Sequence, residues 1–306
     1  MNNILAVLAD PILPIFAIAA LGYLLGARGL VREEDARLAN RICMTIFMPI
    51  LIFGLLARSD FSAFLWEKLA LYAACEIVLF ALCVLIARRI FGCGPGESVL
   101  LGVCGVFSNS LMYILPIAQL AYGEASVGPV VSVVVFDTVV FFGGALVYLE
   151  LQRAKAESVA QALGSLVRMP LIAAMILGVA AGLMRLPLPE PVLTFIGFNG
   201  AAAPPIALFA LGVVLSRTRF APDGVVLTFG TVKLLIFPAA LWLALETFTP
   251  GITASSVQFL LAGAGPAGAM AFSMALLYNV RPDRIAQIIV GTSALTLASL
   301  ALVLSL

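Results

Sequence analysis

The chain has 306 residues, of which 63% are hydrophobic and only 11% charged; its net charge is +1 and its mean hydropathy +1.15. A soluble domain needs far more surface charge, so a soluble fold is excluded, the lipid bilayer is the expected surrounding and no nucleic-acid partner is expected. Histidine is absent, which removes histidine-based metal sites and imidazole proton relays; no metal or cofactor is expected, and proton coupling would have to use carboxylates.

Charged residues divide the sequence into ten apolar stretches, at 4–27, 39–57, 66–87, 98–123, 125–149, 169–186, 191–216, 224–245, 252–280 and 285–306. Most approach the roughly 20 residues a spanning helix needs. The runs are continuous rather than alternating, which excludes barrel strands and predicts an all-helical chain.

The first stretch follows Met1-Asn2-Asn3 without a basic leader, so it is expected to stay as a membrane helix. Its Gly22 and Gly26, like Gly178 and Gly182 in the sixth, form small-xxx-small patterns. These are read as helix packing inside each half, with homodimerisation as the alternative. Cys43, Cys75, Cys83, Cys93 and Cys104 lack any CxxC spacing and read as packing residues. The third stretch carries Glu76.

The fourth reads GVCGVFSNSLMYILPIAQLAYG, with Ser108, Asn109 and Ser110 about halfway across. Pro116 cannot bond back to the carbonyl of Met112, so a helix break that exposes polar backbone at depth is expected here. The fifth carries Asp137. Glu150 to Arg168 is the longest polar connection, and residues 151–168 are read as a cytoplasmic linker between halves 1–150 and 169–306. Val159, Leu163 and Leu166 or Val167 recur there at helical spacing, fitting either a helix on the membrane surface or a solvated connection.

The seventh stretch holds Asn199, a weak pathway candidate, then Pro204 and Pro205; the eighth holds Lys233 and Pro238. The ninth, FLLAGAGPAGAMAFSMALLYN, has Gly263, Gly265, Pro266 and Gly268 at its centre, so it too is expected to break.

An internal repeat ties these observations together. At a constant offset of 156, Pro14, Ala17, Leu21, Gly22, Gly26 and Leu30 fall on Pro170, Ala173, Leu177, Gly178, Gly182 and Leu186; Pro49 and Tyr122 fall on Pro205 and Tyr278. A duplicated unit of five spans must be inverted relative to its copy, and inverted repeats with broken helices at equivalent positions mark secondary transporters. With both termini outside, thirteen Lys and Arg residues lie on inner connections and three on outer ones, the expected positive-inside bias. Each of Glu76, Asp137 and Lys233 costs roughly 2.5–3.5 kcal/mol even on the mild insertion scale for Asp or Lys, so each needs a partner or water. Lys233 would neutralise a carboxylate substrate or pair with an internal acid, while Asp137 and Glu76 are the proton-coupling candidates.

Several motifs in the correct order resemble the auxin efflux carrier family of bacterial permeases and plant PIN carriers. They are NSLMYILP at Asn109–Pro116, PPIALFALG at Pro204–Gly212, VKLLIFP at Val232–Pro238, and GPAG at Gly265–Gly268 followed by YNVRPD. The resemblance covers nearly the whole chain apart from the large cytoplasmic loop of many plant members. It implies ten transmembrane helices in two inverted five-helix repeats, similar to the bile acid sodium symporter fold. Helices four and nine would cross at the site, and helices one, two, six and seven would form the scaffold. By motif, Asn109 and Pro116 take the crossover role, Pro266 and Gly268 the helix-nine break, and Lys233 the positive charge. Plant members place a second crossover proline where this chain has Ala271. Family substrates are mostly organic anions such as indole acetate or malonate-like dicarboxylates. Helix nine lacks an acid where the bile acid symporters bind sodium, so sodium coupling is not expected.

The resulting expectation is a bacterial inner-membrane permease with both termini periplasmic, moving a small organic anion by alternating access. The substrate-binding set would be Ser108, Asn109, Ser110, Pro116, Lys233, Gly265, Pro266 and Gly268. An integral-membrane enzyme would show clustered His, Asp or metal-ligand motifs, and none is present. The alternative is a membrane-embedded sensor or regulatory protein without transport activity.

Overall fold

The structure is a computed structural model that describes residues 17–123, 128–154, 168–217, 221–251 and 253–303. Among them the chain is helical, and its one β feature is an isolated antiparallel bridge between Ser108 and Ala267. In chain order the helices are α1 (Ala17–Ala27), α2 (Glu33–Ala57), α3 (Trp66–Arg89), α4 (Pro95–Val106), α5 (residues 110–122) and α6 (Gly128–Arg153). The second half supplies α7 (Pro170–Leu183), α8 (Glu190–Arg217), α9 (Gly224–Phe248), α10 (Ala254–Ala264), α11 (Met270–Leu277) and α12 (Asp283–Val303). Five of these, α2, α3, α6, α8 and α9, are long and apolar enough to cross a membrane. The helix at Val159 to Leu166 predicted for the linker lies outside the described residues.

Three of the prolines do not break the helices they lie in. Pro49, Pro116 and Pro238 each follow a five-residue wide turn, at Cys43–Phe47, Ser110–Ile114 and Val232–Ile236. Such a turn bonds i to i−5, which relieves the clash a proline ring makes with the carbonyl four residues back. The interruption of the fourth span therefore lies earlier than Pro116, at Phe107–Asn109, between α4 and α5. The ninth span is interrupted at Gly265–Ala269, and Ala271 is already helical in α11. Pro266 and the glycines suffice for that break without a proline at 271.

The helices group into two bundles. One contains α1, α2, α7 and α8; the other contains α3 to α6 and α9 to α12. The glycine pairs hold the first bundle together, but across the two halves of the chain rather than inside each. A Cβ on Gly22 would strike the carbonyl of Phe209 in α8, and one on Gly212 the carbonyl of Ala19 in α1. A Cβ on Gly182 of α7 would strike the carbonyl of Leu56 in α2, and one on Gly178 would stand 3.2 Å from the Phe53 backbone. Lipid gives helices no hydrophobic reason to associate, so close backbone packing of this kind supplies the attraction. A Gly212→Val substitution is expected to destabilise the protein by at least about 1–3 kcal/mol, because the obstructing atom is backbone and cannot swing aside. Thermal unfolding in detergent measures this, and an unchanged midpoint would refute the contact.

The second bundle is clamped at both ends. Arg284, at the start of α12, bonds Asp223 before α9 (2.8 Å) and Glu97 in the first turn of α4 (3.0 Å). Burial works to raise the pKa of Asp223, but hydrogen bonds from the Val226 N–H and from Arg284 outweigh it and hold the carboxyl below its usual range. At the other end, Lys68 of α3 donates to Thr253, Ser255 and Ser256 at the start of α10, at 2.7, 2.9 and 2.8 Å.

Candidate functional site

The two interruptions cross each other. The Asn109 N–H donates to the Pro266 carbonyl (2.8 Å) and the Gly268 N–H to the Phe107 carbonyl (3.0 Å), forming the bridge around Ser108 and Ala267. Glycine is required at 268, since a Cβ there would run into the Phe107 ring. A Cβ on Gly265 would stand 2.9 Å from Ile114. Neither glycine nor Pro266 lines the cavity described below; they fix how the chains cross.

A broken helix leaves carbonyls without partners at its C-terminal end. Here side chains supply four of them. Thr296 donates to the Ala264 carbonyl (2.9 Å), and the Ser108 hydroxyl donates to that of Ala262. Lys233, fully buried in the wide turn of α9, donates to the Val106 carbonyl (2.9 Å), the Gly263 carbonyl (2.9 Å) and the Ser108 hydroxyl (2.6 Å). Its ammonium also lies 4.7 Å from the centre of the Phe237 ring. One cation thus sits at the negative ends of both α4 and α10, where helix dipoles favour it.

Beside Lys233 are two buried acids from different helices. The carboxyls of Glu76 in α3 and Asp137 in α6 face each other within hydrogen-bonding reach, and no N–H or O–H of the protein donates to any of their four oxygens. Both feel the Lys233 charge. Glu76, from a different stretch of the sequence, is the direct neighbour of Asp137. Tyr72, one turn before Glu76, brings its hydroxyl to the same cluster beside Ser108. The sequence reading missed Tyr72, although its i, i+4 spacing to an intramembrane acid is a usable signal.

A cavity adjoins this cluster, between the two bundles. Ser108, Asn109, Ser110, Asp137 and Thr138 line it from the second bundle. So do Leu111, Ala269 and Met270, at the N-terminal ends of α5 and α11. Helix N-termini carry partial positive charge, so two of them at one cavity make a place for an anion. The opposite wall is apolar: Met48, Leu51, Ile52 and Leu55 of α2, with Ala207 and Leu208 of α8. Lys233 does not line the cavity, and Asn199 lies elsewhere with its side chain donating to the Phe195 carbonyl (2.9 Å). For Pro116 only the backbone is described, inside α5.

One contact seals the two bundles together beyond the cavity. The Asn40 side chain of α2 donates to the Ser273 carbonyl of α11 (3.0 Å), and Asn40 is completely buried. α2 and α8 pack on α11 and α12 on this side, the end that carries Arg28, Arg32, Arg37 and Arg217.

A family model described as "Membrane transport protein" matches residues 7–304. A protein of Rhizobium meliloti named "Putative malonate transporter" is 27% identical over 301 residues, covering 94% of this chain and 92% of that one. An "Uncharacterized transporter" of Methanothermobacter thermautotrophicus is 24% identical over 308 residues, covering 96% of each chain.

Proposed function

The chain belongs to the membrane transport protein family, that of the auxin efflux carriers, and from this membership we propose that it moves a small organic anion across the bacterial inner membrane by alternating access. It is a multi-pass membrane transporter and not an enzyme. The reading is carried by one observation: α5 and α11 both begin at the same buried cavity, beside Ser108, Asn109 and Ser110. The name of the Rhizobium relative, which refers to a dicarboxylate, supports the anion class.

In this proposal the chain forms ten spans, with α4 and α5 together making the fourth and α10 and α11 the ninth. The halves are inverted copies, both termini are periplasmic, and the Arg-rich connections face the cytoplasm. The sealed contact at Asn40 and Ser273 is then cytoplasmic, and the cavity belongs to an outward-facing state. Proton coupling uses the carboxyl pair. With no donor between them, Glu76 and Asp137 are satisfied by sharing a proton; a second proton leaves the cluster at net +1 through Lys233, the charge state most favourable to an anion. Lys233 itself organises the crossing and is not the substrate's direct partner.

Asn109 is the residue to test first. A carboxylate at the α5 N-terminus would accept from its side chain, and a hydrogen bond to a charged group contributes about 1.5–3 kcal/mol. Initial uptake of labelled mono- and dicarboxylates by proteoliposomes is therefore expected to fall about tenfold or more in Asn109→Ala. Full uptake in that variant would remove Asn109 from the site.

A further inference from the structure

α2 and α11 belong to different bundles and pack side by side, and they border two separate spaces. Met48 of α2 with Met270 and Ser273 of α11 face the cavity. Met44 and Thr45 of α2 with Leu277 and Tyr278 of α11 face a second cleft, bordered by Arg153 of α6 and lying toward the Arg-rich end. From Met48 to Met44, and from Ser273 to Leu277, the step is one helical turn, a rise of about 6 Å. A barrier one turn thick therefore separates the cavity from the cleft. Tyr278 donates to Glu150 of α6 (3.0 Å), which ties this end of α11 into its own bundle. The surface free to part is the one α11 shares with α2 and α8.

The seam is held by a polar group where an apolar one would hold more firmly. Asn40 is fully buried and donates through Nδ2 to the Ser273 carbonyl (3.0 Å). Among the described residues, its Oδ1 and the equally buried Ser273 hydroxyl have no partner. The accepting carbonyl gains little, because it lies within α11 and takes part in that helix's own bonding. Two unpartnered polar groups cost free energy while the seam is closed, and water satisfies both once it opens. A leucine of similar size has the opposite preference, favouring the dry, closed seam.

Resting on the alternating-access reading above, in which this seam is cytoplasmic, we propose that Asn40 is a positioning residue for transport, the latch of an inner gate formed by α2 and α11. It touches no substrate. Its polarity keeps the closed and open seams close in free energy, so that parting α2 from Ser273 joins the cavity to the cleft at little cost. The route to the cytoplasm then runs between Met44 and Thr45 on one side and Leu277 and Tyr278 on the other.

The test reads accessibility from the two sides of the membrane, in right-side-out and inside-out vesicles containing the full chain. Leu51→Cys is the reporter, with Leu55→Cys as a second; both are partly exposed positions in the cavity wall. A membrane-impermeant maleimide measures the outward-open state from outside and the inward-open state from the cytoplasmic side, above the background of the five native cysteines. Asn40→Leu is expected to slow modification from the cytoplasmic side about tenfold and to leave the outer rate intact. Asn40→Asp buries a carboxylate against a carbonyl, and is expected to speed modification from the cytoplasmic side about tenfold while slowing it from outside. Shifts of opposite sign mark a latch, since a residue that only packs would give a defect of the same sign in both variants. Rates that match the parent protein on both sides, or shifts of one sign in both variants, overturn the proposal. If Asn40→Asp does not fold, Asn40→Leu decides by itself, and an unchanged cytoplasmic rate overturns the latch. The reading beneath it fails differently: with Asn40 intact, both reporters would then react from one side only.

Discussion

Replacing Lys233 with alanine is expected to destabilise the protein by about 3–5 kcal/mol and to abolish transport, the range seen when one member of a buried charged set is removed. The magnitude follows from how many groups depend on one ammonium. Val106 and Gly263 each have a backbone carbonyl bonded to it, and the Ser108 hydroxyl accepts from it while donating onward to Ala262. Without it those carbonyls stay buried at the negative ends of α4 and α10, and Glu76 and Asp137 lose their nearest cation. Lys233→Met keeps an aliphatic stem against Phe237 but offers no donor, so it is expected to behave like alanine in both assays. Thermal unfolding in detergent and uptake in proteoliposomes read the two effects. A Lys233→Ala protein that melts and transports like the wild type would falsify the crossing described here.

In Asp137→Asn, accumulation driven by a pH gradient is expected to vanish while exchange of labelled for unlabelled anion continues. The groups facing Asp137 are Glu76, Lys233 and Tyr72, with Ser108 alongside. Asparagine keeps the shape and donates a hydrogen bond to Glu76, but it cannot take up or release a proton. If one proton travels with each singly charged anion, an imposed difference of one pH unit, about 1.4 kcal/mol, sustains about tenfold accumulation in the wild type. The variant should only equilibrate. Accumulation that persists in Asp137→Asn and in Glu76→Gln would move the coupling away from this pair.

Much of this arrangement is legible in the chain itself, and the gaps have physical causes. Gly265, Pro266 and Gly268 mark the second interruption because they are helix breakers and nothing nearby compensates for them. Pro116 misplaces the first, because a wide turn at Ser110–Ile114 absorbs the proline while Phe107 and Ser108 leave the helix to pair with residues 266–268. No local preference signals that; the partner is a distant backbone. Lys233 is conspicuous as a charge in an apolar stretch, but its acceptors lie 127 and 30 residues away, so its role as a crossing pin needs the fold. The acids were visible singly and their adjacency was not, since α3 and α6 carry no mutual register in sequence. The glycine stripes show that some helix must come close without naming which.

That last point has a consequence for how the two ends of the chain depend on each other. Gly22 seats α1 on α8, while Gly178 and Gly182 seat α7 on α2, so the opening helix of either half rests on the second helix of the other. Neither half owns a finished framework. Expressed separately, each would offer an empty groove of small residues to lipid, and a half transplanted from a distant cousin would need a matching ridge to dock. The helices at the two ends of that bundle are obligate complements.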